Sequence, residues 1–228
     1  MKIIGLIGGM SYQSTITYYQ AINEGVAARL GGLSSAKCVI YSVDFASIES
    51  FQRAGKWDEA GAVLLDAARQ VTAAGADFVL LCTNTMHKIA SILSANGINL
   101  LHIATATAER IKRDGVRRVG LLGTKYTMTQ DFYKGELERA GLDVIVPEGA
   151  DVDLINDIIF NELCKGEIKE SSRREFVRII GQLDVAGADG VILGCTEIGL
   201  LVSAPDTPLR LYDTTLIHAE AAVRLALG

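Results

Sequence analysis

Gly75-Ala76-Asp77-Phe78-Val79-Leu80-Leu81-Cys82-Thr83 and Gly187-Ala188-Asp189-Gly190-Val191-Ile192-Leu193-Gly194-Cys195-Thr196 are two versions of one phrase. Seven positions are identical when Gly194 is treated as a one-residue insertion. Each version is a glycine turn, then a short apolar run, then a Cys-Thr pair, the pattern of a buried parallel strand opening into a polar turn. Two weaker echoes run in the same order. Ile4-Gly5-Leu6-Ile7-Gly8 matches Val119-Gly120-Leu121-Leu122-Gly123, and His102-Ile103-Ala104-Thr105 matches Leu211-Tyr212-Asp213-Thr214. Three ordered echoes imply two similar lobes of roughly a hundred residues each, a common domain size. Two copies at so long a period are a duplication, not a solenoid.

Outward from these phrases, short apolar runs alternate with amphipathic segments. Strands are expected at Ile3–Ile7, Cys38–Val43, Phe78–Leu81, Leu100–Ile103, Val119–Leu122, Leu142–Val146, Val191–Leu193 and Leu209–Tyr212. Helices fill the gaps, as in Trp57–Ala74, where Ala60, Val63, Leu64, Ala67, Ala68 and Val71 recur on one face. The fold class is therefore α/β: two pseudo-symmetric lobes, each a parallel sheet flanked by helices. The first lobe is 1–103 plus 213–228, whose terminal helix Thr214–Leu227 packs back on it, and the second is 104–212. Ligands of such sheets sit beyond the carboxyl ends of the strands, so the active site is expected in the cleft between lobes.

The 228 residues are 49% hydrophobic and 21% charged with a net charge of −5, which excludes a disordered chain and a disulfide-stapled miniprotein. No basic stripe relieves that charge, so no nucleic-acid partner is expected. The longest apolar runs fall far short of the roughly 18 residues of a membrane span, so no membrane association is expected. The opening MKIIGLIGGMSY reads as a first strand rather than a signal peptide. Four scattered cysteines without a CxxC pair suit neither a disulfide framework nor a zinc site, and the simplest location is cytoplasmic.

Cys82 and Cys195 each stand where an apolar strand ends and a polar turn begins. A following helix N-terminus favours an anion there, whether a thiolate or a substrate carboxylate, and a thiol whose pKa is lowered in this way can act as a base at neutral pH. Either cysteine alone could be a buried apolar residue, but two Cys-Thr pairs at equivalent points of a duplicated fold favour chemistry. One thiolate can remove a proton from carbon while the other thiol returns one to the opposite face, inverting a stereocentre. Cys38, in a strand, and Cys164, on an amphipathic helix, are read as structural.

The segments LCTNTMHK and GCTEIGLL, with the opening GLIGGMS, resemble the aspartate/glutamate racemase superfamily, which works without pyridoxal phosphate. The resemblance spans the whole chain. It implies no cofactor and no metal, a small amino-acid substrate, a homodimer and one catalytic cysteine per lobe, Cys82 and Cys195. Glu197 stands where glutamate racemases usually carry His, which is similar to the aspartate and broad-specificity branch. By that resemblance Cys195 acts on the L-isomer and Cys82 on the D-isomer.

The resemblance also assigns substrate contacts to Thr83, Asn84, Thr85, Thr196 and Glu197, although Asn84, Thr85 and Thr196 could equally cap helices. Met10 matches a position that faces substrate in relatives, with a core methionine as the alternative. Thr124 is the second-lobe counterpart of Gly9 and a plausible contact. In strict aspartate racemases an arginine from this region clamps the side-chain carboxylate; the resemblance matches Gln52 to the broad-specificity branch at that position, and Arg53 beside it is not expected to be the clamp. Lys165 resembles a lysine that pairs with a substrate carboxylate, or else is a solvated lysine at a helix end. His87, on a helix, His102, on a strand, and His218 are not expected to cluster, and Asp213 and Thr214 are read as a helix cap. The alternatives are a hydantoin racemase, a maleate isomerase, an arylmalonate decarboxylase or a non-catalytic amino-acid-binding module. The intact cysteine pair counts against a decarboxylase, which needs only one thiol.

Overall fold

Ile4–Gly8 forms the central strand β1 of a parallel sheet, flanked by β2 (Cys38–Ser42) and β3 (Phe78–Leu81) in the order β2-β1-β3. All of β1 and β3 is buried, as an apolar strand covered on both faces requires. Ile4, Leu6, Phe78 and Leu80 pack on one face against Tyr18, Ile22 and Val26 of helix Tyr12–Leu30 and Ala219, Ala222 and Val223 of helix Thr214–Leu227. Ile7, Val79 and Leu81 pack on the other against Ala60, Leu64, Ala67 and Val71 of helix Trp57–Ala73. Each fully buried leucine contributes about 1.5–3 kcal/mol. Helix Tyr12–Leu30 is capped by Ser11, whose hydroxyl accepts from the Ser14 N–H, and ends at Gly31 with φ of 74°.

A second parallel sheet holds β4 (Arg118–Gly123), β5 (Asp143–Ile145), β6 (Gly190–Gly194) and β7 (Arg210–Asp213) in the order β5-β4-β6-β7. Its first three strands repeat the arrangement of β2, β1 and β3. Leu122, Val191 and Leu193 pack against Ile155, Ile158 and Ile159 of helix Ala150–Asn161 and Phe176, Ile179 and Ile180 of helix Glu170–Val185. The computed structural model describes every residue, Met1–Gly228. The chain divides into one unit of Met1–Ile103 with His218–Gly228 and another of Ala104–Ile217.

Two expectations change. Leu100–Ile103 is not a strand: it makes a single parallel bridge between Val79 and Leu100, and helix Ile103–Arg113 has begun by Ile103. Imidazole nitrogens take the backbone groups a ladder would have used, with His218 Nε2 on the Leu101 carbonyl and His87 Nε2 on the Ile103 N–H. Val63 is 38% exposed, and Gly61 takes its place on the buried face of its helix. A Cβ on Gly61 would lie 2.6 Å from Ile92 Cδ1, so a larger residue there has to push that side-chain tip aside.

Candidate active site

In the second unit the end of β6 carries Cys195, Thr196 and Glu197, all buried. The Cys195 thiol donates to Glu197 Oε2 at 3.0 Å, and the Thr196 hydroxyl donates to the same oxygen at 2.8 Å. Glu197 therefore holds the thiol rather than standing apart from it. Thr124, at the end of β4, is also buried and caps the short helix Lys125–Thr129 by accepting from the Thr127 N–H. Asp213, at the end of β7, accepts from the Thr215 and Leu216 N–H groups, the expected cap of helix Thr214–Leu227.

The expected lowering of the thiol pKa does not occur. Burial pushes the Cys195 thiol well above its ordinary range, and the negative Glu197 carboxylate pushes it further. The helix that follows, Ile198–Leu201, has four residues and offers little dipole against that desolvation. Cys164 lies in the 3₁₀ turn Leu163–Lys165, not on an amphipathic helix, and burial with the Glu197 charge raises its thiol too. Lys165 beside it is exposed.

In the first unit Cys82 is fully buried among Ile4, Leu6, Tyr18, Phe78 and Leu80, and burial alone pushes its thiol far above the usual range. Thr83, Asn84 and Thr85 follow, all buried, leading into the 3₁₀ helix Thr85–Ile89. The Asn84 side chain makes no capping bond to that helix. Gln52, buried on helix Phe45–Arg53, donates from Nε2 to Met86 Sδ at 3.0 Å, which brings it to this turn. Met10 packs with Ile7, Ile48 and Met86. Arg53 points outward and pairs with Glu49.

The strand registers correct the pairing of the cysteines. Ile4 lies opposite Phe78 and Ile7 opposite Leu81, while Val119 lies opposite Gly190 and Leu122 opposite Leu193. Because β1 and β4 are the echoed strands, Phe78 corresponds to Gly190, Cys82 to Gly194 and Thr83 to Cys195. No insertion is needed. The faces agree: Val191, Leu193 and Cys195 share the core of helix Glu170–Val185, as Val79 and Leu81 share that of helix Trp57–Ala73. Cys82 has the opposite parity and faces the core of helix Tyr12–Leu30. Gly194 has no side chain because a Cβ there would lie 2.7 Å from the Leu122 carbonyl oxygen.

The three histidines, expected to be apart, meet in the first unit. The His87 ring centroid is 4.6 Å from that of His102 and 6.0 Å from that of His218. Hydropathy and spacing carry no signal for this cluster, which depends on how the chain returns at His218.

Duplicated parallel α/β units, one ending in a buried thiol–carboxylate pair, define a racemase-like protein. Residues 7–222 match the Asp/Glu/hydantoin racemase family, a family of isomerases, and the chain belongs to it. It is 23% identical over 233 residues to the broad specificity amino-acid racemase RacX of Bacillus subtilis strain 168, covering 99% of each chain. A Yersinia pestis protein assigned as an Asp/Glu racemase has 52% identity and a TM-score of 0.92, with 100% of both chains covered. An aspartate racemase homologue from Pyrococcus horikoshii OT3 has 36% identity and a TM-score of 0.86 over 100% of both chains. No helix is long and apolar enough to cross a membrane.

Proposed function

We propose that this protein is a cofactor-independent amino-acid racemase that inverts the α-carbon of aspartate, glutamate or a related small amino acid. The observation that carries the reading is the buried Cys195–Glu197 hydrogen bond at the end of β6. Removing an α-hydrogen needs a base close to carbon and polar groups around the developing carbanion. The thiol supplies the first; Thr124, Thr196, Asn84, Thr85 and Gln52 are read as the second, with Lys165 reserved for a side-chain carboxylate. Burial and the Glu197 charge keep the Cys195 thiol protonated. A substrate ammonium beside Glu197 offsets that charge and lowers the thiol pKa, so deprotonation is coupled to substrate binding.

The second proton-transfer group, expected to be Cys82, is reassigned to Thr83, which the register makes the counterpart of Cys195. A hydroxyl is a much weaker acid than a thiol, so Thr83 passes its proton to the carbanion only as it takes another from solvent in the same step, and does not stand as an anion. The two enantiomers are then treated unequally. Cys195 exchanges the α-hydrogen of the L-isomer with solvent faster than the pair completes inversion. We read the active form as a cytoplasmic homodimer, in keeping with four free cysteines and with the family resemblance.

The test is proton NMR of L- and D-amino acids in D₂O with purified protein and no added cofactor. Loss of the α-proton signal, with the opposite enantiomer on chiral analysis, supports the reading; no exchange with any amino acid overturns it. One observation favours a second reading. With Cys82 in the core, a single thiol at a strand end also suits protonation of an enolate left by decarboxylation of a malonate. Release of CO₂ from an arylmalonate without amino-acid exchange identifies that activity.

A further inference from the structure

His87 is buried, and both of its ring nitrogens are engaged within the first unit. Nε2 lies 3.2 Å from the Ile103 N–H, which can only donate, so Nε2 is the acceptor. Nδ1 therefore carries the proton and donates to the Thr83 carbonyl oxygen at 2.8 Å. His218 is fixed in the opposite tautomer. Its Nε2 donates to the Leu101 carbonyl at 2.9 Å, and its Nδ1 accepts from the Tyr18 hydroxyl at 2.8 Å. Two imidazoles thus hold the backbone at Leu101 and Ile103, where the chain leaves the first unit, and one of them also holds the turn after β3.

We propose that His87 is the positioning residue of Thr83, its Nδ1–H fixing the peptide plane that orients the Thr83–Asn84 turn while Ile103 locks the ring. The assignment rests on the racemase reading and on Thr83 as the second proton-transfer group. His87 touches neither substrate nor the reacting atoms; it acts through the turn. Thr83 stands before the short 3₁₀ helix Thr85–Ile89 and its N-cap Asn84, so the hydrogen bonds of that helix do not fix its carbonyl.

Two near-isosteric substitutions separate the bonds. In His87→Asn the amide nitrogen replaces Nδ1 and keeps the donor to Thr83. In His87→Gln the amide oxygen replaces Nε2 and keeps the acceptor for Ile103, but the donor is lost. The readout is the ratio of inversion, by chiral analysis, to solvent exchange of the L-isomer α-proton, by NMR in D₂O. His87→Gln is expected to lower inversion by about tenfold, the loss of one hydrogen bond, with exchange at Cys195 within about twofold of wild type. His87→Asn is expected to keep the wild-type ratio. Equal loss of both activities in His87→Gln, or the same ratio change in both variants, overturns the proposal and makes His87 a packing residue. If His87→Gln does not fold, a fallen ratio in His87→Asn overturns it alone. Wild-type protein that exchanges no amino acid overturns the racemase reading itself, and this assignment with it.

Discussion

The Cys195 thiol donates a hydrogen bond to Glu197 across 3.0 Å in a buried site, and the same carboxylate oxygen accepts from Thr196. A carboxylate so placed orients the sulfur and opposes its ionisation at once, because a negative neighbour disfavours a thiolate.

Glu197→Gln removes the charge and keeps the shape. The Cys195 thiol, raised by burial first and by Glu197 second, then ionises at lower pH. The midpoint of Cys195 alkylation by iodoacetamide, followed by peptide mass spectrometry, is expected to move down. Racemisation is expected to fall at least about tenfold, because the orienting charged hydrogen bond is gone. An alkylation midpoint that stays or rises contradicts the charge assignment.

Gly194 takes the strand position that Cys82 has in the first unit, and a Cβ there would meet the Leu122 carbonyl oxygen at 2.7 Å and Leu121 Cδ1 at 2.8 Å. Gly194→Ala is expected to cost about 1–3 kcal/mol in urea unfolding, the usual range for overpacking. Gly199→Ala, whose Cβ would meet only the Asp213 carboxylate, a side-chain tip that can move, is expected to cost less. Midpoints unchanged from wild type contradict the close approach.

The sequence phrases carry the duplicated α/β lobes, all seven observed strands within one residue at either end, the terminal helix Thr214–Leu227 and the importance of the turns after β3 and β6. β5, the shortest strand, begins at Asp143 and covers only part of the apolar run around it. Cys-Thr occurs in both phrases, and aligning the two cysteines needs an insertion at Gly194 that the strand registers do not contain. An ungapped count from the Gly-Ala-Asp that opens each phrase pairs Phe78 with Gly190 and Thr83 with Cys195, and is the better signal, since a one-residue shift turns a side chain to the other face of a sheet. The histidine cluster lay beyond pattern reading, because three residues distant in sequence meet only through tertiary packing.

His218 is buried with a pKa pushed down to about 3, chiefly by desolvation, and His87 is lowered by the same cause together with the neighbouring His102 and His218 rings. Unfolded histidines bind protons near pH 6.5, so the unfolded state gains protons first and stability falls as pH drops below that value. The slope is about 1.4 kcal/mol per pH unit for each such histidine. Urea midpoints between pH 7 and 5, above most carboxylate titrations, are expected to fall. His218→Gln is expected to flatten the fall; an unchanged slope contradicts the assignment of the neutral rings.

Gln52 is buried against Met86 beside the Thr83–Thr85 turn, whereas Arg53 is exposed and paired with Glu49. Gln52→Leu is expected to raise KM for an acidic amino acid or to change the preferred side chain. Arg53→Ala is expected to leave both constants within about twofold, as loss of an exposed ion pair does. Equal effects of the two substitutions in steady-state kinetics contradict the placement of Gln52 near substrate.

The central claim is that Cys195, not Cys82, is the thiol that moves the α-proton. Its most direct test is α-proton exchange in D₂O, with the best amino-acid substrate, for Cys195→Ala and Cys82→Ala alongside wild type. Cys195→Ala is predicted to abolish exchange of the L-isomer, while Cys82→Ala keeps exchange and inversion and loses only about 1 kcal/mol of stability. Loss of inversion in Cys82→Ala with its fold intact, or exchange at the wild-type rate in Cys195→Ala, contradicts the account.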